Sequence, residues 1–70
     1  MNEIENWFNE TGWPYQMYDG VISFVLGNRE YDIVYEGARY GYSIFEAGAA
    51  YPIGTYPDVR DVIDWLEDGT

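Results

Sequence analysis

The sequence contains no cysteine, no histidine and no lysine. Without cysteine it has no disulfide to brace a small domain and no thiolate to act as nucleophile or metal ligand, a usage that fits a reducing compartment. Without histidine the commonest general base is missing, and without lysine there is neither Schiff-base chemistry nor the phosphate-binding lysine of a P-loop. Cations are confined to Arg29, Arg39 and Arg60, against thirteen Asp and Glu, which sets the formal net charge at -10 in 70 residues. Three arginines cannot assemble a basic stripe, and so acidic a chain is repelled by phosphate backbones and by anionic lipid. Charge therefore argues against direct binding of nucleic acid or of a membrane surface.

Long apolar runs are missing too. The first ten residues, MNEIENWFNE, are acidic and interrupted by polar side chains, unlike the basic start and apolar stretch of a signal peptide. The expectation is a soluble, cytoplasmic protein. No repeat, low-complexity tract or linker divides the chain, so residues 1–70 are expected to form one small domain. A domain of this size buries only about 60% of the surface its unfolded chain exposes, so large apolar side chains carry its stability.

Aromatic residues are abundant, at 20% of the chain with eight tyrosines. Asn2 and Glu5 have the spacing of an N-cap and its N3 partner, Ile4, Trp7 and Phe8 recur at helical spacing, and Gly12 before Trp13-Pro14 ends the run. A strand is expected from Met17 to Leu26, with Ile22, Phe24 and Leu26 on one face. Gly27-Asn28 reads as a two-residue hairpin turn. A second strand follows from Arg29 to Glu36, then a type II′ turn at Gly37-Ala38 and a third strand from Arg39 to Glu46.

These turns pair Phe24 with Tyr31 and Ile22 with Ile33 in the first hairpin. In the second they pair Tyr35 with Tyr40, Ile33 with Tyr42 and Tyr31 with Ile44. Both hairpins then place Ile22, Phe24, Tyr31, Ile33, Tyr35, Tyr40, Tyr42 and Ile44 on one face, and the tyrosines among them are expected to be core residues. Ala47 to Ile53 reads as a loop. Thr55 and Asp58 suggest a capping box with Pro57 in the first turn, opening a helix that runs to about Glu67 and stops near Gly69. Val59, Val62, Ile63 and Leu66 form its apolar stripe. The expected class is α+β in the order α-β-β-β-α, a three-stranded antiparallel sheet with both helices on one face.

Motifs that carry chemistry are scarce. Paired carboxylates are plentiful, but glycoside hydrolysis needs a cleft that holds a sugar between two of them, and a single-layer sheet of this length offers little cleft. No loop has the oxygen-rich spacing of a calcium site, and the glycines do not form a dinucleotide-binding loop. The expectation is a protein that is not an enzyme, with no catalytic residue, no metal site and no cofactor.

The acids form two arrays. Asp58, Asp61, Asp64, Glu67 and Asp68 fall along the last helix, where like charges three or four positions apart cost about 0.2–0.5 kcal/mol per pair. Glu30, Asp32 and Glu36 share one face of the second strand, Glu30 and Asp32 about 6.6 Å apart by the rise per residue. Rows of negative charge at this spacing approach the density of a phosphate backbone. A solvated helix face or a salt-adapted surface is the plainer reading of the same residues. Beside the strand acids, Val21, Val25, Val34 and Phe45 fall on the outer face of the expected sheet, giving an apolar patch ringed by charge.

A short, very acidic α-β-β-β-α chain resembles, as a class, the small phage-type inhibitors of bacterial defence, including anti-CRISPR proteins that imitate DNA. That resemblance implies a non-enzymatic inhibitor that binds the basic nucleic-acid-binding site of a nuclease or CRISPR effector. The two acidic arrays and the outer-face patch, not the resemblance, supply the expected contacts: Glu30, Asp32, Glu36, Phe45, Asp58, Asp61, Asp64, Glu67 and Asp68, the acids acting as phosphate surrogates toward arginine and lysine. The element order is also that of the double-stranded-RNA-binding domain, but that family needs lysine-rich contacts at the start of its last helix, where this chain has Asp58 and Asp61. The alternative is a small assembly module that forms a homodimer through the outer sheet face, its acidity serving solubility only.

Overall fold

The computed structural model describes residues 1–70. Its element order is α1 (Asn2–Thr11), β1 (Gln16–Tyr18), β2 (Val21–Leu26), β3 (Arg29–Tyr35), β4 (Tyr42–Glu46), β5 (Gly54–Tyr56) and α2 (Val59–Gly69). The class is α+β as expected, but the antiparallel sheet has five strands in the order β1-β2-β3-β4-β5 instead of three. Both added strands are three-residue edges.

Local chemistry explains each difference. The strand expected from Met17 onward is cut by Asp19-Gly20, whose φ angles of 52° and 74° form the mirror-image turn that suits a two-residue hairpin. Gln16 to Tyr18 therefore folds back along β2. Gly27-Asn28 makes a turn of the same kind, with φ of 60° and 69°, and the expected register holds: Ile22 opposite Ile33, Phe24 opposite Tyr31.

The hairpin of β3 and β4 closes later than the sequence suggests. Residues 37–40 are turn, not strand, and the Tyr40 and Gly41 amides both donate to the Gly37 carbonyl, at 3.2 and 2.8 Å. Gly41 is what moves the turn. Its φ is 77°, and a Cβ there would overlap the Tyr56 carbonyl oxygen and come within 2.5 Å of the Pro57 Cα, so only glycine lets β5 leave the sheet at this point. Tyr35 consequently pairs with Tyr42 and Ile33 with Ile44. The slip is two residues, an even number, so the side chains of β3 and β4 keep their faces.

The helix caps also depart from expectation. Asn2 lies inside α1, with Met1 at the cap position and no side-chain cap. Thr55 is part of β5, and Pro57 precedes the helix. Asp58 alone caps α2, its carboxylate accepting from the Arg60 amide at 2.9 Å.

One sheet face carries the core. Ile22, Ile33 and Ile44, in register across the three central strands, are fully buried beneath Ile4 and Phe8 of α1 and Val62 and Leu66 of α2. Both helices thus cover this inner face, as expected. Each such side chain contributes about 1.5–3 kcal/mol of burial before entropy is subtracted. Phe24, Tyr31 and Trp65 extend the core as an aromatic group, with ring centroids 5.3–6.3 Å apart. The tyrosines do not all join it. Tyr35 and Tyr40 are 47% and 59% exposed, because the first ends β3 and the second sits in the turn.

Candidate functional site

With both helices on the inner face, the outer face of the sheet is left without a covering element. Its side chains fall into rows across the strands. One row runs Gln16, Ser23, Asp32, Phe45, and the row beside it runs Tyr18, Val21, Val34, Ser43, Thr55. On the other side of the first row, Val25 pairs with Glu30. Val25 is 52% exposed and Tyr18 57% exposed, whereas Val21, Val34 and Phe45 are half-buried against their neighbours.

A groove of about 650 Å³ lies over this face, with Ser23, Val25, Glu30 and Asp32 along the strands and Trp13, Tyr18 and Ala47 among its borders. Its lining is held in place. The Trp13 indole N–H donates to the Val25 carbonyl at 3.0 Å, which anchors the segment between α1 and β1. The Ser23 hydroxyl donates to Asp32 Oδ1 at 2.6 Å. Since that uses the only hydrogen on Ser23 Oγ, the 3.4 Å contact with Tyr18 has the phenol as donor. Asp32 is thereby oriented with one oxygen left for another donor.

None of the three arginines neutralises this groove. Arg29 pairs with Glu46 at 3.2 Å, the one ion pair in the molecule. Arg39 lies 5.6 Å from the Tyr40 ring centroid in the turn between β3 and β4, and Arg60 is on α2. Glu30 and Asp32 therefore face the solvent without an internal counter-ion.

The nine residues expected to contact a partner are divided between two sides of the molecule. Glu30, Asp32 and Phe45 lie together on the outer face, Phe45 directly opposite Asp32, and Glu36 continues the same parity just past the end of β3. Asp61, Asp64, Glu67 and Asp68 are exposed on the side of α2 turned away from the core, on the far side of the sheet. Asp58 belongs to neither array, since its carboxylate is engaged as the cap of α2. One flat partner surface cannot cover both arrays.

Trp13, Tyr18 and Ser23 escaped the sequence reading. The signal for Tyr18 was present: Asp19-Gly20 is a hairpin dipeptide, and recognising it puts Gln16 and Tyr18 on the outer face beside Ser23. Trp13 gives no such signal, because its place depends on how the segment between α1 and β1 packs against β2.

A smaller hollow of about 530 Å³ lies at the other end of the sheet, lined by Tyr35, Gly41, Tyr42, Pro57 and Asp58. There burial raises the Tyr42 phenol above its ordinary value of 10.0, with further contributions from Tyr35, Glu3 and Asp58. Both effects disfavour a phenolate at Tyr42. No three acidic side chains converge as metal ligands, and no helix is long and apolar enough to cross a membrane. Set beside known proteins, the chain matches no family model, no curated protein and no solved structure.

Proposed function

We propose that this protein is a non-enzymatic inhibitor that docks its outer sheet face on the basic nucleic-acid-binding site of another protein, a nuclease or CRISPR effector, and blocks access of DNA or RNA. The observation that carries the reading is the uncovered outer face, where Glu30 and Asp32 stand without counter-ions beside apolar and aromatic area, on a body of net charge -10. Apolar area supplies affinity, and charge steers encounter with a cationic partner. The α2 acids add to the long-range field from the far side without making contact.

Size sets the mode of inhibition. A standard interface buries about 800 Å² per partner, roughly a sixth of the 4629 Å² surface of this molecule. That is one face, enough to plug a cleft or the mouth of an active site but not to imitate a long duplex. The same charge speaks against the alternative of a homodimer through this face, because two copies would bring Glu30, Asp32 and Glu36 against their own equivalents with no cation between them.

Capture tests the reading. The immobilised protein is exposed to bacterial lysate at low salt, and bound proteins are released with salt or with duplex DNA. The expected result is a basic nucleic-acid enzyme that both treatments release and whose cleavage of a labelled duplex is inhibited by added protein. Recovery of the protein alone, unchanged by salt, contradicts the reading and favours self-association.

A further inference from the structure

The outer-face groove sets two carboxylates without counter-ions beside two aromatic side chains, and this combination discriminates between cations. An ammonium is a compact, strongly hydrated point charge. A guanidinium is planar and more weakly hydrated, stacks on aromatic faces, and offers paired N–H donors that match a carboxylate. A groove walled by rings and floored by carboxylates suits the second better.

We propose that the groove is an arginine-binding site: one arginine on a surface loop of the partner enters it, with its guanidinium between Asp32 and Glu30 and flanked by Trp13 and Tyr18. This rests on the reading of the protein as a binder of basic proteins and names the contact that makes it one. The occupant follows from charge complementarity, since the groove lies on the face with unpaired acids and the three arginines of the chain are placed elsewhere.

The groove is prepared for such a guest. Ser23 holds Asp32 Oδ1 at 2.6 Å, and the Trp13 indole is held to the Val25 carbonyl at 3.0 Å, so two of the four contacting groups are oriented before binding. Pre-orientation of this kind removes part of the entropy cost of association. Glu30 is the adaptable member, an exposed side chain two strand positions from the pinned carboxylate, on the same face.

The test uses the intact protein, a short arginine-rich peptide, and the same peptide with every arginine replaced by lysine, titrated calorimetrically at about 0.15 M salt, where long-range attraction is screened. The arginine peptide should bind about fivefold tighter than the lysine peptide. The Glu30→Gln/Asp32→Asn variant should lose about tenfold or more in affinity for it. The control Asp64→Asn/Asp68→Asn, with the same change in charge on α2, should lose about twofold or less. Asp32→Asn leaves an oxygen to accept from Ser23, and Tyr18→Ala, a change at an exposed side chain, is a second variant that should weaken the arginine preference without touching charge.

Equal losses for the two double variants would overturn the proposal, as would equal affinity for the two peptides. Those failures differ from failure of the inhibitor reading. A groove that selects arginine while capture yields no DNA-displaced enzyme leaves the site standing and removes the inhibitor role. A DNA-displaced enzyme whose binding survives Glu30→Gln/Asp32→Asn does the reverse.

Discussion

The two faces of the sheet are built from the same strands, residue by alternate residue, yet they differ in burial and in chemistry. On β3, Ile33 is fully buried under both helices, while its neighbours Asp32 and Val34 face outward and are only half covered. Inner positions at the centre of the sheet are aliphatic or aromatic and fill space, with the Arg29–Glu46 ion pair only at its margin. Outer positions mix valine, serine, acid and tyrosine, a composition that leaves area and charge available to another molecule. Small size makes the contrast sharp, because one layer of helices can cover only one face of the sheet.

Truncation of neighbouring residues on opposite faces tests that contrast most strongly. Ile33→Ala should lower unfolding stability by about 2–5 kcal/mol, since it empties a fully packed site. Val34→Ala, one residue along, should cost about 1 kcal/mol or less. Chemical denaturation measures both, and equal losses would mean that the outer face is a second core.

Gly41→Ala sharpens the picture of what positions the faces. It should cost about 2 kcal/mol or more, because the positive φ and the close approach of Tyr56 and Pro57 leave no room for a methyl group. A variant as stable as the parent would show that the β3–β4 hairpin does not depend on that turn.

Asp58→Ala separates a structural acid from a binding one. Loss of the α2 cap should reduce stability by about 1 kcal/mol, with partner affinity unchanged. The opposite pattern would return Asp58 to the contact surface.

The smallest expected effect concerns the hollow around Tyr42. Its phenol titrates higher in the folded chain than in the unfolded one, so its contribution is fully present below the ordinary tyrosine value and is lost as pH rises through the raised one. Stability should therefore fall in the alkaline range, and Tyr42→Phe should flatten that part of the pH profile. An unchanged alkaline slope would place the responsible group elsewhere.

Parts of this architecture are legible in the sequence for physical reasons, and parts are not. Gly27-Asn28 set between alternating apolar residues determines the β2–β3 hairpin and its register, because turn type and face preference agree. The aliphatic row of Ile22, Ile33 and Ile44 follows from alternation alone. Alternation also misleads: Arg39 to Tyr42 continues the pattern of a strand, but the steric demand at Gly41 comes from β5, far along the chain, and no local signal reports it. The same holds for Trp13, whose hydrogen bond to Val25 arises only once β1 is folded against β2. The acids of the outer face were legible as residues, whereas their separation from the α2 acids is a property of the folded molecule, since helix and strand lie on opposite sides of one sheet.

That separation supplies the most direct measurement. Affinity for the proposed basic partner is determined for two charge-reversal variants, Glu30→Arg/Asp32→Arg on the outer face and Asp61→Arg/Asp64→Arg on α2. The first should lose binding by about a hundredfold or more, and the second, which alters only long-range steering, should stay within about tenfold. Retained binding by the outer-face variant, with loss in the α2 variant, would contradict an outer-face interface and place it on the helix.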